Sequence, residues 1–207
     1  MSGKEVSWDQ VYRIVTWNSL LAGGILLVLF YLGPGLKSLG ITAVSANHPV
    51  ILGVSAVFLG FLIFALDRTV TSILYSLYQK HCPVLATERA VYGTRFSDAA
   101  KTYASTSFLF GSLAISFWEE LFFRGFGFYL FRDILHYNAL FVIMLTSILF
   151  GMYHVFSGKI AVVPKTIGGI MLGCMYLLSG NLVFPYLAHV SWNVLIWRLW
   201  RERAKNL

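Results

Sequence analysis

Phe117-Trp118-Glu119-Glu120-Leu121-Phe122-Phe123-Arg124-Gly125 places two carboxylates and a guanidinium inside an apolar run that reaches from Thr106 to Phe131. A run of that length is a transmembrane helix candidate. A charge at mid-bilayer costs about 2.5–3.5 kcal/mol even on a lenient insertion scale, so three such groups on one helix must face a protein interior or a wet cavity. Glu120 and Arg124 are spaced i, i+4, share a helix face and can pair. Glu119 points about 100° away around the helix. One carboxylate can therefore be neutralised by the arginine while the other faces something else.

Outward from this stretch the chain keeps the same character. Of 207 residues, 57% are hydrophobic and only 12% charged, and the mean hydropathy is +0.71. An ordinary soluble domain carries about 25% charged residues, so this chain is short of the surface charge it would need in water. The apolar residues form six blocks, about Ile14–Leu32, Val50–Leu66, Thr106–Phe131, Ala139–Phe156, Ile160–Leu178 and Leu182–Trp200. Turn-forming clusters separate them: Gly33-Pro34-Gly35, Asn47-His48-Pro49, Ser157-Gly158-Lys159 and Ser179-Gly180-Asn181. The expectation is an all-α, polytopic integral membrane helical bundle of about six transmembrane helices. It forms one membrane domain over 1–207, with a catalytic core at 104–200. Residues 1–103 hold two N-terminal spans and a cytoplasmic interfacial loop. Pro164 and Lys165 weaken the start of the fifth span, which can begin as late as Thr166.

The basic residues give a direction. Thirteen fall on one side of the six-span scheme: Lys4, Arg13, Arg68, Lys80, Arg89, Arg95, Lys101, Lys159, Lys165, Arg198, Arg201, Arg203 and Lys205. Lys37 and Arg132 fall on the other. The positive-inside rule then predicts cytoplasmic termini in the inner membrane of a prokaryote. The formal charge of +7 thus follows from topology, and no nucleic-acid partner is expected. Val44-Ser45-Ala46 resembles a cleavage site but lies too far past the first apolar run, so that span is expected to be retained. In the polar loop from Asp67 to Ser105, the first part can continue the second helix. The second mixes Arg89, Arg95 and Lys101 with Tyr92, Phe96 and Tyr103, as an interfacial segment does. Cys82 and Cys174 have no paired-ligand spacing and read as ordinary thiols.

Two more spans carry polar groups at one-turn spacing. Phe150 and His154 share a face of the fourth, and His189 and Asn193 share a face of the sixth. Three helices thus supply groups able to converge. Amide hydrolysis needs a base for water, a donor for the leaving amine, and donors for the oxyanion. Glu119 can be the base, with His154 helping to hold and deprotonate the water; His189 and Asn193 can present N–H donors. Glu120 and Arg124 read as a supporting ion pair. No serine or cysteine has an evident base partner, which disfavours covalent catalysis. A zinc ion on Glu119, His154 and His189 is the mechanistic alternative to a cofactor-free site, although no HExxH is present. A non-proteolytic membrane scaffold or immunity protein and a proton- or ion-coupled transporter are the functional alternatives; the latter would more often show repeated halves, and none is found. Gly169 and Gly173 form a GxxxG pair suited to close helix packing. His48, His81 and His136 fall in loops or at span ends and read as solvated.

The ordered motifs EExxxR at Glu119–Arg124, FxxxH at Phe150–His154 and HxxxN at His189–Asn193 resemble the CPBP family, also called the Abi or CAAX-protease family, of intramembrane endopeptidases. Gly168-Gly169-Ile170-Met171-Leu172-Gly173 and Ser179-Gly180-Asn181-Leu182 with Pro185 resemble the family's approach to its last motif. The likeness covers about residues 104–200. It implies a glutamate-dependent protease, long described as a metalloprotease, with water activation at Glu119 and His154 and the oxyanion at His189 and Asn193. It also implies membrane-anchored or lipidated protein substrates: prenylated CAAX C-termini, or C-terminal anchors of bacterial sorting systems. Other members serve bacteriocin immunity. The short loops resemble a compact prokaryotic member.

Overall fold

The computed structural model describes residue 24 and residues 35–42, 48–81 and 104–206, apart from the side chains at 107 and 156. Every long element among them is helical. Five helices follow one another: α1 (Pro49–His81), α2 (Thr106–Glu120), α3 (Ala139–Tyr153), α4 (Val162–Ser179) and α5 (Val183–Ala204). By length and apolar composition, Pro49–His81 and Lys159–Ser179 suffice to cross a membrane, and α3 is a shorter apolar helix. The first apolar block, apart from Gly24, lies outside the described residues, as do the Val44-Ser45-Ala46 stretch, Cys82 and the basic-aromatic part of the long loop.

Local sequence explains the ends. Ser105 caps α2 by accepting from the Phe108 amide at 3.0 Å, and Asn138 caps α3 by accepting from the Phe141 amide at 2.9 Å. Gly180 ends α4 in the left-handed region at φ 62°. Asn181 then turns the chain, accepting from the Val183 amide at 2.9 Å and donating to Thr42.

Three boundaries sharpen the sequence expectation. α1 runs fifteen residues past Leu66, to His81, because the stretch after Asp67 has no helix breaker before Pro83. α4 begins at Val162, preceded by a 3-10 turn at Lys159–Ala161, which agrees with the block from about Ile160 and not with the late start at Thr166. Pro164 stands in the first turn, where its missing N–H would have had no intrahelical partner. The third block is helical throughout, but after Glu120 its turns widen to π type at Leu121–Phe126 and again at Tyr129–Ile134.

α3 packs along α4, α1 lies against α5 and α4, and α2 lies against α5. Small residues permit these approaches. A Cβ on Gly169 would meet the Ser147 backbone at 3.1 Å, and one on Gly173 would sit 3.4 Å from Ile143, so the GxxxG pair does pack α4 onto α3. Ala56, Ile63, Phe123, Phe150, Leu172 and Trp192 form a buried core that joins α1, the first π segment, α3, α4 and α5. The outer face of α1 is apolar, with Val50, Ile51, Val54, Phe58 and Phe61 exposed.

Candidate active site

Glu119 and Glu120 end α2 with both side chains in the bundle, 8% and 0% exposed. Their neighbours divide them. Glu120 Oε1 accepts from Arg124 Nη1 at 3.0 Å and is 2.7 Å from His189 Nδ1. Arg124, fully buried, also donates through Nη2 to the Gly169 carbonyl at 2.9 Å and lies 4.7 Å from the Phe150 ring centre. The i, i+4 pair expected from the sequence is therefore present, and it ties α2 to α4 and α5. Gly169 contributes through its carbonyl as well as through its missing side chain.

Glu119 has a different environment. Its Oε1 is 3.8 Å from His154 Nε2, and its Oε2 is 3.6 Å from His189 Nε2. These separations exceed a direct hydrogen bond and are short enough for one water to touch both partners.

Hydrogen-bond logic assigns the ring nitrogens. His154 Nδ1 is 2.8 Å from the Phe150 carbonyl. A carbonyl only accepts, so Nδ1 carries the proton, and the neutral ring presents a lone pair at Nε2 towards Glu119. His189 Nδ1 likewise donates to Glu120, whose carboxylate is paired with Arg124. His189 can donate through Nε2 only when it carries both protons.

Asn193 is also oriented. Ser116 Oγ donates to the Ser112 carbonyl at 2.7 Å, so it must accept from Asn193, whose Nδ2 is 2.8 Å away. That uses one of the two amide hydrogens and leaves the other for a ligand. Phe150, fully buried, stacks near His154 (4.6 Å between ring centres) and His189 (5.7 Å). It therefore holds both imidazoles as well as the guanidinium.

All seven residues singled out from the sequence thus meet in one region. Two further residues belong to it. Ser116, a serine with no evident base partner in the sequence, orients Asn193. Lys165, which the sequence groups with the basic connections, has its Nζ 3.7 Å from the centre of the Trp192 ring, beside His189. Neither had a periodicity signal that ties it to the other motifs. His48, His81 and His136 are exposed and outside the region, and Cys174 is a free, exposed thiol. Among the described residues no group of three or more His, Cys, Asp or Glu side chains is arranged to hold a metal ion.

A carboxylate facing two imidazole nitrogens, with an oriented amide beside it, is equipped to activate water, which is the chemistry of a hydrolase. Residues 102–195 match the family model described as type II CAAX prenyl endopeptidase Rce1-like, in agreement with the resemblance carried by the three motifs. That family is one of proteases, and the match spans α2 to most of α5. Comparison with curated proteins and with solved structures returns no significant match.

Proposed function

We propose that the protein is an integral membrane endopeptidase that hydrolyses a peptide bond near the C-terminus of a membrane-anchored or lipidated protein. The observation that carries this reading is Glu119, held between the Nε2 atoms of His154 and His189 at 3.8 and 3.6 Å. The six apolar blocks, the exposed apolar face of α1 and the asymmetry of the basic residues support six spans with cytoplasmic termini.

Water sits between Glu119 and His154 and loses a proton to them as its oxygen attacks the scissile carbonyl carbon. The free N–H of Asn193 and an Nε2–H of His189 receive the oxyanion. When the C–N bond breaks, the proton held by Glu119 and His154 passes to the leaving amine. Glu120 and Arg124 hold His189 and the helix ends in place and take no proton.

The test uses the full chain in liposomes with a farnesylated CAAX peptide, comparing wild type with Glu119→Gln and His154→Ala. Each change should lower the turnover rate by roughly 10²–10⁴, the range for removal of a general base. Unchanged cleavage in both variants would sink the proposal.

A further inference from the structure

We infer that Asp67 is a positioning residue: it holds the Lys165 ammonium at the Trp192 ring and so keeps that cation from pairing with Glu119. The inference rests on the endopeptidase reading above, and it brings to the site a residue outside the family-matched stretch. Asp67 is buried on α1 and continues the buried stripe of Ala56, Gly60 and Ile63, one turn after Ile63. Ile63 and Trp192 meet at Gly168 of α4, where a Cβ would lie 3.1 Å from Ile63 Cγ2 and 2.8 Å from Trp192 Cη2. Lys165 stands one turn before Gly168, half-buried, with its Nζ 3.7 Å from the centre of the Trp192 ring. The 3-10 turn that leads into α4 also lies against α1. Asp67 and Lys165 are thus each one turn from the same contact, on facing helices. Asp67 is the strongest attraction acting on the ammonium, Glu119 the next, and Arg68 repels it.

The ammonium is therefore drawn two ways, towards α1 and towards α2. Among the described residues neither carboxylate lies within ion-pair distance of it. Glu120 does not compete, because Arg124 and His189 already engage it. The Trp192 and His189 ring centres are 5.5 Å apart, so the ammonium lies within about 9 Å of that imidazole. From there it supplies positive potential to Glu119 without occupying the oxygens that face His154 and His189. A lysine is a point charge on a flexible four-carbon stem, so its counter-charges decide where the charge rests. With Asp67 neutralised, the attraction left among the described residues is that of Glu119. The ammonium then turns to Glu119 and forms a contact pair on the oxygens that hold the water, and the base is silenced.

The test is a rescue. The full chain in liposomes receives a farnesylated CAAX peptide. Asp67→Asn should lower kcat at least about tenfold with KM nearly unchanged, the split expected when the chemical step is lost and binding is not. Asp67→Glu should retain most of the activity. Asp67→Asn combined with Lys165→Met should be at least about tenfold more active than Asp67→Asn alone, because no cation remains to cover the base. An Asp67→Asn variant with the wild-type kcat overturns the inference. So does a double variant no more active than Asp67→Asn, because that is the mark of a structural role. Thermal melting in micelles decides the same point without any cleavage. Glu119→Gln should leave the midpoint of the otherwise native chain nearly unchanged. In the Asp67→Asn background it should lower the midpoint by at least about 6 °C, because there it breaks the new buried pair. An unchanged midpoint in that background overturns the inference. Absence of cleavage by wild type, with the melting shift present, counts instead against the endopeptidase reading itself.

Discussion

Replacing Arg124 by methionine removes a cation and leaves its partner behind. Arg124 is fully buried, bonds Glu120 and the Gly169 carbonyl, and lies over Phe150. Glu120 would then remain buried with only His189 to face it, since its second oxygen already has no hydrogen-bond partner. Breaking a buried pair in this way costs about 3–5 kcal/mol. At about 2–4 °C per kcal/mol for a chain of this size, the midpoint should fall by roughly 6–20 °C. Removing both charges, in Glu120→Gln with Arg124→Met, should recover much of that loss, because no uncompensated charge stays behind. Glu119→Gln is the control. Its closest partners are at 3.6 and 3.8 Å, so its midpoint should stay near that of wild type while activity is lost. Tryptophan fluorescence during thermal unfolding in micelles reads all four proteins. The reasoning is refuted if Arg124→Met melts like wild type, or if the double variant is no more stable than the single one.

Ser116→Ala should leave the fold intact and slow turnover by about tenfold, the effect of freeing Asn193. Asn193→Ala should cost about 10²–10³, the usual loss of an oxyanion donor, with KM nearly unchanged in steady-state assays. Gly151→Ala should destabilise by about 1–3 kcal/mol in denaturant titration, because its Cβ would press on the Val162 carbonyl 2.7 Å away and on Thr166; Gly173→Ala, with nearest contact at 3.4 Å, should be far milder. Treatment with a strong chelator followed by metal analysis should leave cleavage unchanged in a metal-depleted sample, and loss restored by zinc would reverse the mechanism proposed here.

Helices and site were legible in the sequence to different depths. The apolar blocks and the i, i+4 pairs carry a periodic signal, so Glu120 with Arg124, Phe150 with His154, and His189 with Asn193 were readable. Contacts between helices carry no such signal. Nothing local to His189 announces that Glu120, 69 positions earlier, is its partner at 2.7 Å. Ser116 and Lys165 escaped for the same reason: an intrahelical serine or a lysine near a helix start is ordinary until the neighbouring helix is in place. The extension of α1 past Asp67 was readable only as an option, because that stretch is polar enough to serve equally as a loop. The widened turns after Glu120 had no mark in the residue pattern.

Those widened turns have a mechanical consequence. In a uniform α-helix, rotating one end to improve a contact rotates the other by the same angle. Here the upstream half, with Ser116 on Asn193, docks against α5. Downstream, Gly127 abuts Thr146, and Phe128 meets Tyr176 at 5.0 Å between ring centres. The π turn at Leu121–Phe126 between them acts as a slip coupling, letting the anchoring half settle at its own azimuth. Substitutions around Phe128 can then be absorbed without turning Glu119 away from its two imidazoles, so variation at the anchor need not retune the chemistry.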